Sequence, residues 1–268
     1  MNPLHLVRMP LSLPVLARWA AVRNYGWTTR RDQKGREQDA DFDEGRALHH
    51  LLVESFGAGV LTPFRLLVAP RSTQAHLYAY SRSDQATLRD AAQSYALPEV
   101  ASVCDWTQLE AKPLPESWRT GRRVCFEIRI KPVSRIASPL PNASGAAFAK
   151  GAELDAFLIE ALRRFPQSAE EHEPQMINAG RPRQAVYADW LAQRLKGAAT
   201  LEPGAHLAHF LRRRAARKGF APEGPDATLQ GNLIIIDPAR FQEVLAKGVG
   251  RHKAYGFGML LLRPPRSH

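Results

Sequence analysis

Near the C-terminus, the stretch GVGRHKAYGFG (248–258) sets Arg251, His252 and Lys253 among Gly248, Gly250, Gly256 and Gly258. Glycine reaches positive φ without a Cβ penalty and lets another backbone or a phosphate come close. The stretch therefore reads either as a helix cap at Gly248 followed by a turn, or as a loop that admits an anion to its main chain. It is not a nucleotide-binding loop. It follows a predicted helix rather than a strand, and it lacks both the third glycine of G-x-G-x-x-G and the G-K-[ST] ending. A second basic cluster, RRRAARK, runs from Arg212, Arg213 and Arg214 to Lys218. Such a run either tracks a phosphate backbone or forms a solvated face. Arg129 and Lys131 alternate along a predicted strand and so project to one sheet face, where they could grip an A-form stem. Aromatic residues near these cations are sparse, which favours recognition of a hairpin by shape and backbone over stacking along a single strand.

Whole-chain composition points the same way. With 37 Lys plus Arg against 26 Asp plus Glu in 268 residues, the net charge is +11 and the pI about 10.1, a balance that attracts polyanions. A hydrophobic content of 44% suffices for a proper core and excludes a disordered basic tail. The longest apolar runs, Leu233 to Ile236 and Met259 to Leu262, are far too short to cross a bilayer, and no export signal precedes them. Cys104 and Cys125 have no metal-ligand spacing and read as reduced thiols. These features give the expectation of a cytoplasmic protein without membrane association or cofactor.

The elements that must position these residues follow from periodicity. LHLVRM reads as a strand, LPVLARWAAVRNY as an amphipathic helix, and the charged segment from Thr28 to Ala40 as a connection. In DADFDEGRALHHLLVESFG, Asp41 and Glu44 have capping-box spacing and Gly57 can end the helix. Strands PFRLLVAP and AHLYAYS, a helix over DQATLRDAAQSYA and a strand RRVCFEIRIKPV complete a β, α, β, β, α, β order. That is the ferredoxin-like order, an antiparallel sheet with helices on one face. The second half repeats it less plainly. SPLPNASGAAFAKG reads as a linker or surface loop, ELDAFLIEALRRF and RQAVYADWLAQRL as helices, and AHLAHFLRRRAARKG as either strand or helix. ATLQGNLIIID, PARFQEVLAKG and MLLLRP then read as strand, helix and strand. The fold class is α+β: tandem ferredoxin-like domains at 1–118 and 119–268, the second with a helical insertion at about 138–182.

The closing segment DPARFQEVLAKGVGRHKAYGFGMLLLRP resembles the C-terminal motif of the CasE-type CRISPR repeat endoribonucleases, from type I-E systems or a type IV relative. Gly248, Gly250, Lys253, Ala254, Gly256 and Gly258 match its glycine-rich loop in order. CFEIRIKPVSRI, AVYADWLAQRL and ALHHLLVESF are similar to three further family segments, and the likeness fades from 138 to 182. The resemblance implies metal-independent cleavage of a repeat hairpin in precursor CRISPR RNA by attack of a 2′-OH, giving 2′,3′-cyclic phosphate and 5′-OH ends. It also implies that the protein stays on the mature crRNA with other CRISPR effector subunits. A noncatalytic RNA-binding subunit of the same fold and a basic DNA-binding protein are the alternatives. No helix-turn-helix or zinc spacing supports the latter.

Carried over by position, the family's catalytic histidine falls on His49. On a helical wheel, Leu48, Leu51, Leu52, Ser55 and Phe56 form the buried stripe, with His49 at its border and His50 turned to solvent. The family often has a tyrosine three residues before the histidine; here that residue is Arg46, on the same helix face as His49. Arg46 either stabilises a phosphate charge or pairs with Asp43. Some type IV relatives rely on basic residues, which makes Arg23, Arg30 and Arg31 further candidates.

Overall fold

A computed structural model describes residues 3–31, 37–141, 147–166, 172–214 and 223–263. The N-terminal half runs β1 (His5–Ser12), α1 (Leu13–Val22), β2 (Trp27–Arg31), β3 (Glu37–Phe42), α2 (Glu44–Phe56), β4 (Phe64–Val68), β5 (Gln74–Ser81), α3 (Gln85–Tyr95), α4 (Pro98–Ala101) and β6 (Glu110–Pro113). Its antiparallel sheet has the order β4-β5-β1-β6. Strict alternation builds one face of that sheet. Val7, Met9 and Leu11 of β1 join Phe64, Leu66, Ala75, Leu77 and Ala79 under the apolar stripes of the helices. Every member of the α2 stripe expected from the wheel, Leu48, Leu51, Leu52, Ser55 and Phe56, is buried.

The second half runs β7 (Arg123–Ile130), four short strands β8 (Val133–Arg135), β9 (Leu140–Pro141), β10 (Ala147–Phe148) and β11 (Glu153–Asp155), α5 (Ala156–Arg164), α6 (His172–Asn178), α7 (Arg183–Leu195), β12 (Ala199–Leu201), β13 (His206–Arg214), β14 (Glu223–Ile235), α8 (Pro238–Lys247) and β15 (Leu260–Arg263). The sheet order β12-β14-β7-β15, with β13 added beside β14, repeats the ferredoxin-like pattern. Phe126, Ile128 and Ile130 of β7 pack with Trp190, Leu191, Phe241 and Leu245 of the helices. The outer face of the first sheet closes onto this core through Leu4 and Tyr80, whose hydroxyl donates to the Leu260 carbonyl at 2.8 Å.

Several local expectations shift. Thr28 to Ala40 contains the β2–β3 hairpin rather than a plain connection. Asp43, not Asp41, caps α2, accepting from the Arg46 amide at 3.0 Å. AHLAHFLRRR resolves as strand because its residues pair along β14 from His206 to Arg214. The segment SPLPNASGAAFAKG, expected as a loop, holds the β9–β10 pair, and a further helix, α6, precedes α7. The insertion is fixed by a buried polar knot. Asp155 caps α5 through the Phe157 amide and takes Arg183 at 3.1 Å and the Tyr187 hydroxyl at 3.0 Å. No helix among the described residues is long and apolar enough to cross a membrane. Cys104 is a buried thiol whose pKa burial pushes up.

The other face of the second sheet is charged where it meets the first. Arg129 makes a two-pronged contact with Asp226, at 2.8 and 2.6 Å, with side-chain exposures of only 12% and 4%. Beside it, Glu127 takes Arg65 of β4 at 3.4 Å, Gln230 at 2.7 Å and Arg263 at 2.9 Å. Removing one member of a buried pair strands the other charge. Asp226→Ala is therefore expected to cost about 3–5 kcal/mol in urea unfolding, and pairing it with Arg129→Met should recover most of the loss. A single-variant cost near zero would show that the pair does not hold β7 and β14 together.

Candidate RNA-binding site

The site forms where the segment after α8 folds back onto α2. Gly248 ends α8 with φ 69°, and a short 3-10 turn, Lys253–Tyr255, lies against the first turns of α2. Gly45 makes that approach possible, because a Cβ there would sit 2.5 Å from the Tyr255 carbonyl oxygen. Gly250, at φ 77°, similarly faces the Trp190 ring of α7, 2.7 Å from where a Cβ would stand. The glycines thus let the protein's own elements close around the loop, and the loop's cations are what remains for a ligand. The helix-cap and anion-loop readings of this segment are compatible.

The His49 ring lies 5.2 Å from the ring of Tyr255. His50 is not turned to solvent as the wheel suggests. Its ring stacks on Tyr25 at 3.9 Å and 9°, because the turn after α1 lays that tyrosine across α2. Trp19, Tyr25, His50, His49, Tyr255 and His252 form a continuous run of rings. Burial lowers the pKa of His49 and, with the neighbouring His49 and Arg46 charges, that of His50. Both imidazoles are therefore biased towards the neutral form, in which one ring nitrogen can accept a proton.

Around this pair the basic residues fall into three groups. Arg251, His252 and Lys253 line a cavity of about 550 Å³ with Arg135 and Glu153. Glu153 accepts from Arg251 and meets His252 Nε2 at 3.0 Å. Burial pulls the Glu153 pKa up, but hydrogen bonds from His252 and Arg251 outweigh it and hold the carboxyl below its usual range. Arg46 occupies α2 one turn before His49, half-buried. Arg129 points inward, beneath the Phe257 ring at 4.5 Å. Burial opposes its charge, yet the Asp226 hydrogen bonds keep its pKa raised.

The remaining candidates lie outside the His49 neighbourhood or are engaged. Arg23 packs on Trp19 and pairs with Glu54 and Glu99, at 4.0 and 3.8 Å. Arg30 and Arg31 sit on β2 opposite Gln38 and Glu37. Because β13 is extended, its arginines do not form one helical patch. Arg212 reaches Glu223 at 3.4 Å, Arg213 reaches Asp226 at 3.1 Å, and Arg214 pairs in register with Glu223. Lys131 lies over Gly224, and Lys218 falls outside the described residues. Among the described residues no cluster of His, Cys, Asp and Glu is arranged to hold a metal. Sequence reasoning missed Tyr255, Trp190 and Glu153. KAYG offered the tyrosine, but its partner lies some two hundred residues away.

Comparison with known proteins agrees with this architecture. The family model for CRISPR associated protein matches residues 26–264. Among curated proteins no match is found for the chain. Thermus thermophilus Cse3, bound to an RNA representing a pre-cleavage complex, superposes with a TM-score of 0.59 at 18% identity, covering 98% of this chain and 100% of that one. The CRISPR endoribonuclease Cse3 bound to a 19 nt RNA gives 0.60 at 18% identity over the same shares of each chain. Cas6e from Escherichia coli str. K-12 gives 0.55 at 15% identity, covering 97% of this chain and 99% of that one. With its fold shared by these structures along nearly its whole length and the family model covering most of its sequence, the chain belongs to the CRISPR-associated protein family.

Proposed function

We propose that the protein is a metal-independent endoribonuclease that binds the repeat hairpin of precursor CRISPR RNA, cuts it, and stays on the mature crRNA within an effector complex. The observation that carries this reading is the seat of the basic loop on α2. It sets cations suited to a phosphate beside a histidine biased towards its neutral form. The fold shared with RNA-bound Cse3 supports the substrate class.

In the reaction, a ribose 2′-OH loses its proton and its oxygen attacks the adjacent phosphorus. The bond to the 5′-oxygen breaks, leaving a 2′,3′-cyclic phosphate and a 5′-OH. His49 accepts the 2′-OH proton, and the imidazolium formed is an acid for the departing oxygen. Arg46 and Lys253 offset the charge that builds on the phosphorane. Tyr255 flanks the His49 ring and restricts its orientation. Arg23, held by Glu54 and Glu99, has no part in this scheme.

Cleavage should continue in EDTA and stop when the nucleotide upstream of the scissile phosphate is 2′-deoxy. A requirement for Mg²⁺, or cutting of the deoxy substrate, would sink the mechanism.

In single-turnover assays, His49→Ala should lose about a hundred- to ten-thousandfold in rate with RNA affinity retained. His50→Ala should cost mainly the Tyr25 stack, about 0.5–1.5 kcal/mol of stability. Because a proton acceptor must be neutral, the wild-type rate should rise with pH and level off once His49 is deprotonated. Burial lowers that pKa, so the bend should fall below 6.5, the ordinary histidine value. A bend above it, or an unimpaired His49→Ala, would remove His49 from the chemistry.

Gly45→Ala drives a methyl group into the Tyr255 carbonyl and should displace the loop. We expect overpacking to cost about 1–3 kcal/mol and cleavage to slow up to roughly a hundredfold, as for a reacting group moved by about 1 Å. Wild-type cleavage by this variant would show that the contact does not set the site.

A further inference from the structure

The insertion that precedes α7 shapes a groove that the scheme above does not use. It encloses about 430 Å³ between β8, α5 and α7, and four arginines line it, Arg135, Arg163, Arg181 and Arg194, against Glu160 and Asp189. The two carboxylates are already occupied. Arg181 grips Glu160 at 2.8 and 3.0 Å and Asp189 at 2.7 Å. Arg135 and Arg163 are exposed and, among the described residues, form no ion pair. Arg194 stacks on Trp190, its guanidinium carbon 3.4 Å from the ring centroid, and donates to the Trp190 carbonyl at 3.0 Å. A guanidinium fixed in this way offers a planar surface on which a base can stack.

The groove adjoins the loop cavity. Arg135 lines both, and the Trp190 ring that supports Arg194 is the one packed against Gly250 of the loop. The basic surface therefore continues from Arg251 and Lys253 past Arg135 to Arg163. A chain of phosphates leaving the loop would meet these cations in succession. Resting on the function proposed above, we infer that this groove binds single-stranded RNA flanking the hairpin, with phosphates at Arg135 and Arg163 and a base over Arg194. Its charge favours that occupant over a protein segment. Ile136, Ile159 and Val186 also line it, but the cations Arg135 and Arg163 and the Arg194 guanidinium plane stand at it as groups suited to phosphate and base.

The test compares a bare repeat hairpin with hairpins carrying a roughly ten-nucleotide single-stranded flank on the 5′ or the 3′ side. Binding is measured over a salt series. One flank should tighten wild-type binding about tenfold and steepen the salt slope by about 1.4, the counterion release expected for two single-strand phosphate contacts. Arg163→Ala, at a residue outside the loop cavity, should remove most of that gain while binding the bare hairpin as wild type does, and Arg163→Lys should restore most of it. Arg251→Ala with Lys253→Ala should weaken both RNAs. If neither flank adds affinity, or if Arg163→Ala weakens both RNAs equally, the inference fails while the hairpin reading stands. If Arg163→Ala leaves flanked-RNA binding intact but abolishes co-purification of another effector subunit, the groove seats a protein and the inference is overturned. Failure of the wild type to bind the hairpin would overturn the function itself.

Discussion

The Arg129–Asp226 pair holds together everything the site requires. It joins the two central strands β7 and β14, Arg213 of β13 shares its carboxylate, and Phe257 of the loop lies over its guanidinium. Glu44 of α2 belongs to the same cluster. Burial raises the pKa of that carboxyl, while the charges of Arg129, Arg213 and Arg65 oppose the rise. Burying charges is costly, and such a layer contributes less to net stability than apolar residues of the same volume would. Its value is positional. Each charge tolerates only the geometry that satisfies it, so the first turn of α2, the strands β7, β13 and β14, and the loop are held in one arrangement.

Around that anchor, aromatic packing does what charge cannot. Rings from α1, the turn after it, α2 and the C-terminal loop touch in series from Trp19 to His252. Because stacked rings orient one another, the imidazole of His49 is restricted on one side by His50 and on the other by Tyr255. Its burial arises from the same contacts, so the ring that is held in place is also the ring whose pKa falls.

Much of this was legible in the sequence where the signal is local. The α2 stripe, the Gly248 cap and the α8 start at Asp237 and Pro238 follow from periodicity and turn chemistry within a dozen residues. The ferredoxin-like class was legible too, but the strand that closes the first sheet is β6 (Glu110–Pro113), not RRVCFEIRIKPV, which is β7 of the second sheet, because a short, mostly exposed edge strand carries little periodic signal. The catalytic candidate at His49 came from family likeness. The surroundings that qualify it were not legible. His50 seemed solvated because the wheel knows nothing of Tyr25, and the arginines of β13 seemed to form one patch because their strand conformation depends on pairing with β14. The helix of the insertion was legible, but not what fixes it, because Asp155 finds Arg183 and Tyr187 about thirty residues away. Trp190 is a core residue whose ring also supports Arg194 and, some sixty residues away, Gly250, a contact that leaves no local signal.

The pairing of His49 with Tyr255 also sets a timetable. Chains are made from the N-terminus and their domains fold as units in that order. The first sheet and α2 can assemble while the second half is still being synthesised, but the histidine then stands beside an empty seat. Only when the final strand is added does the loop reach Gly45 and close the pocket. A nascent or C-terminally clipped polypeptide can thus fold in part yet lack the loop's seat on α2, so the pocket exists only once the second half has folded.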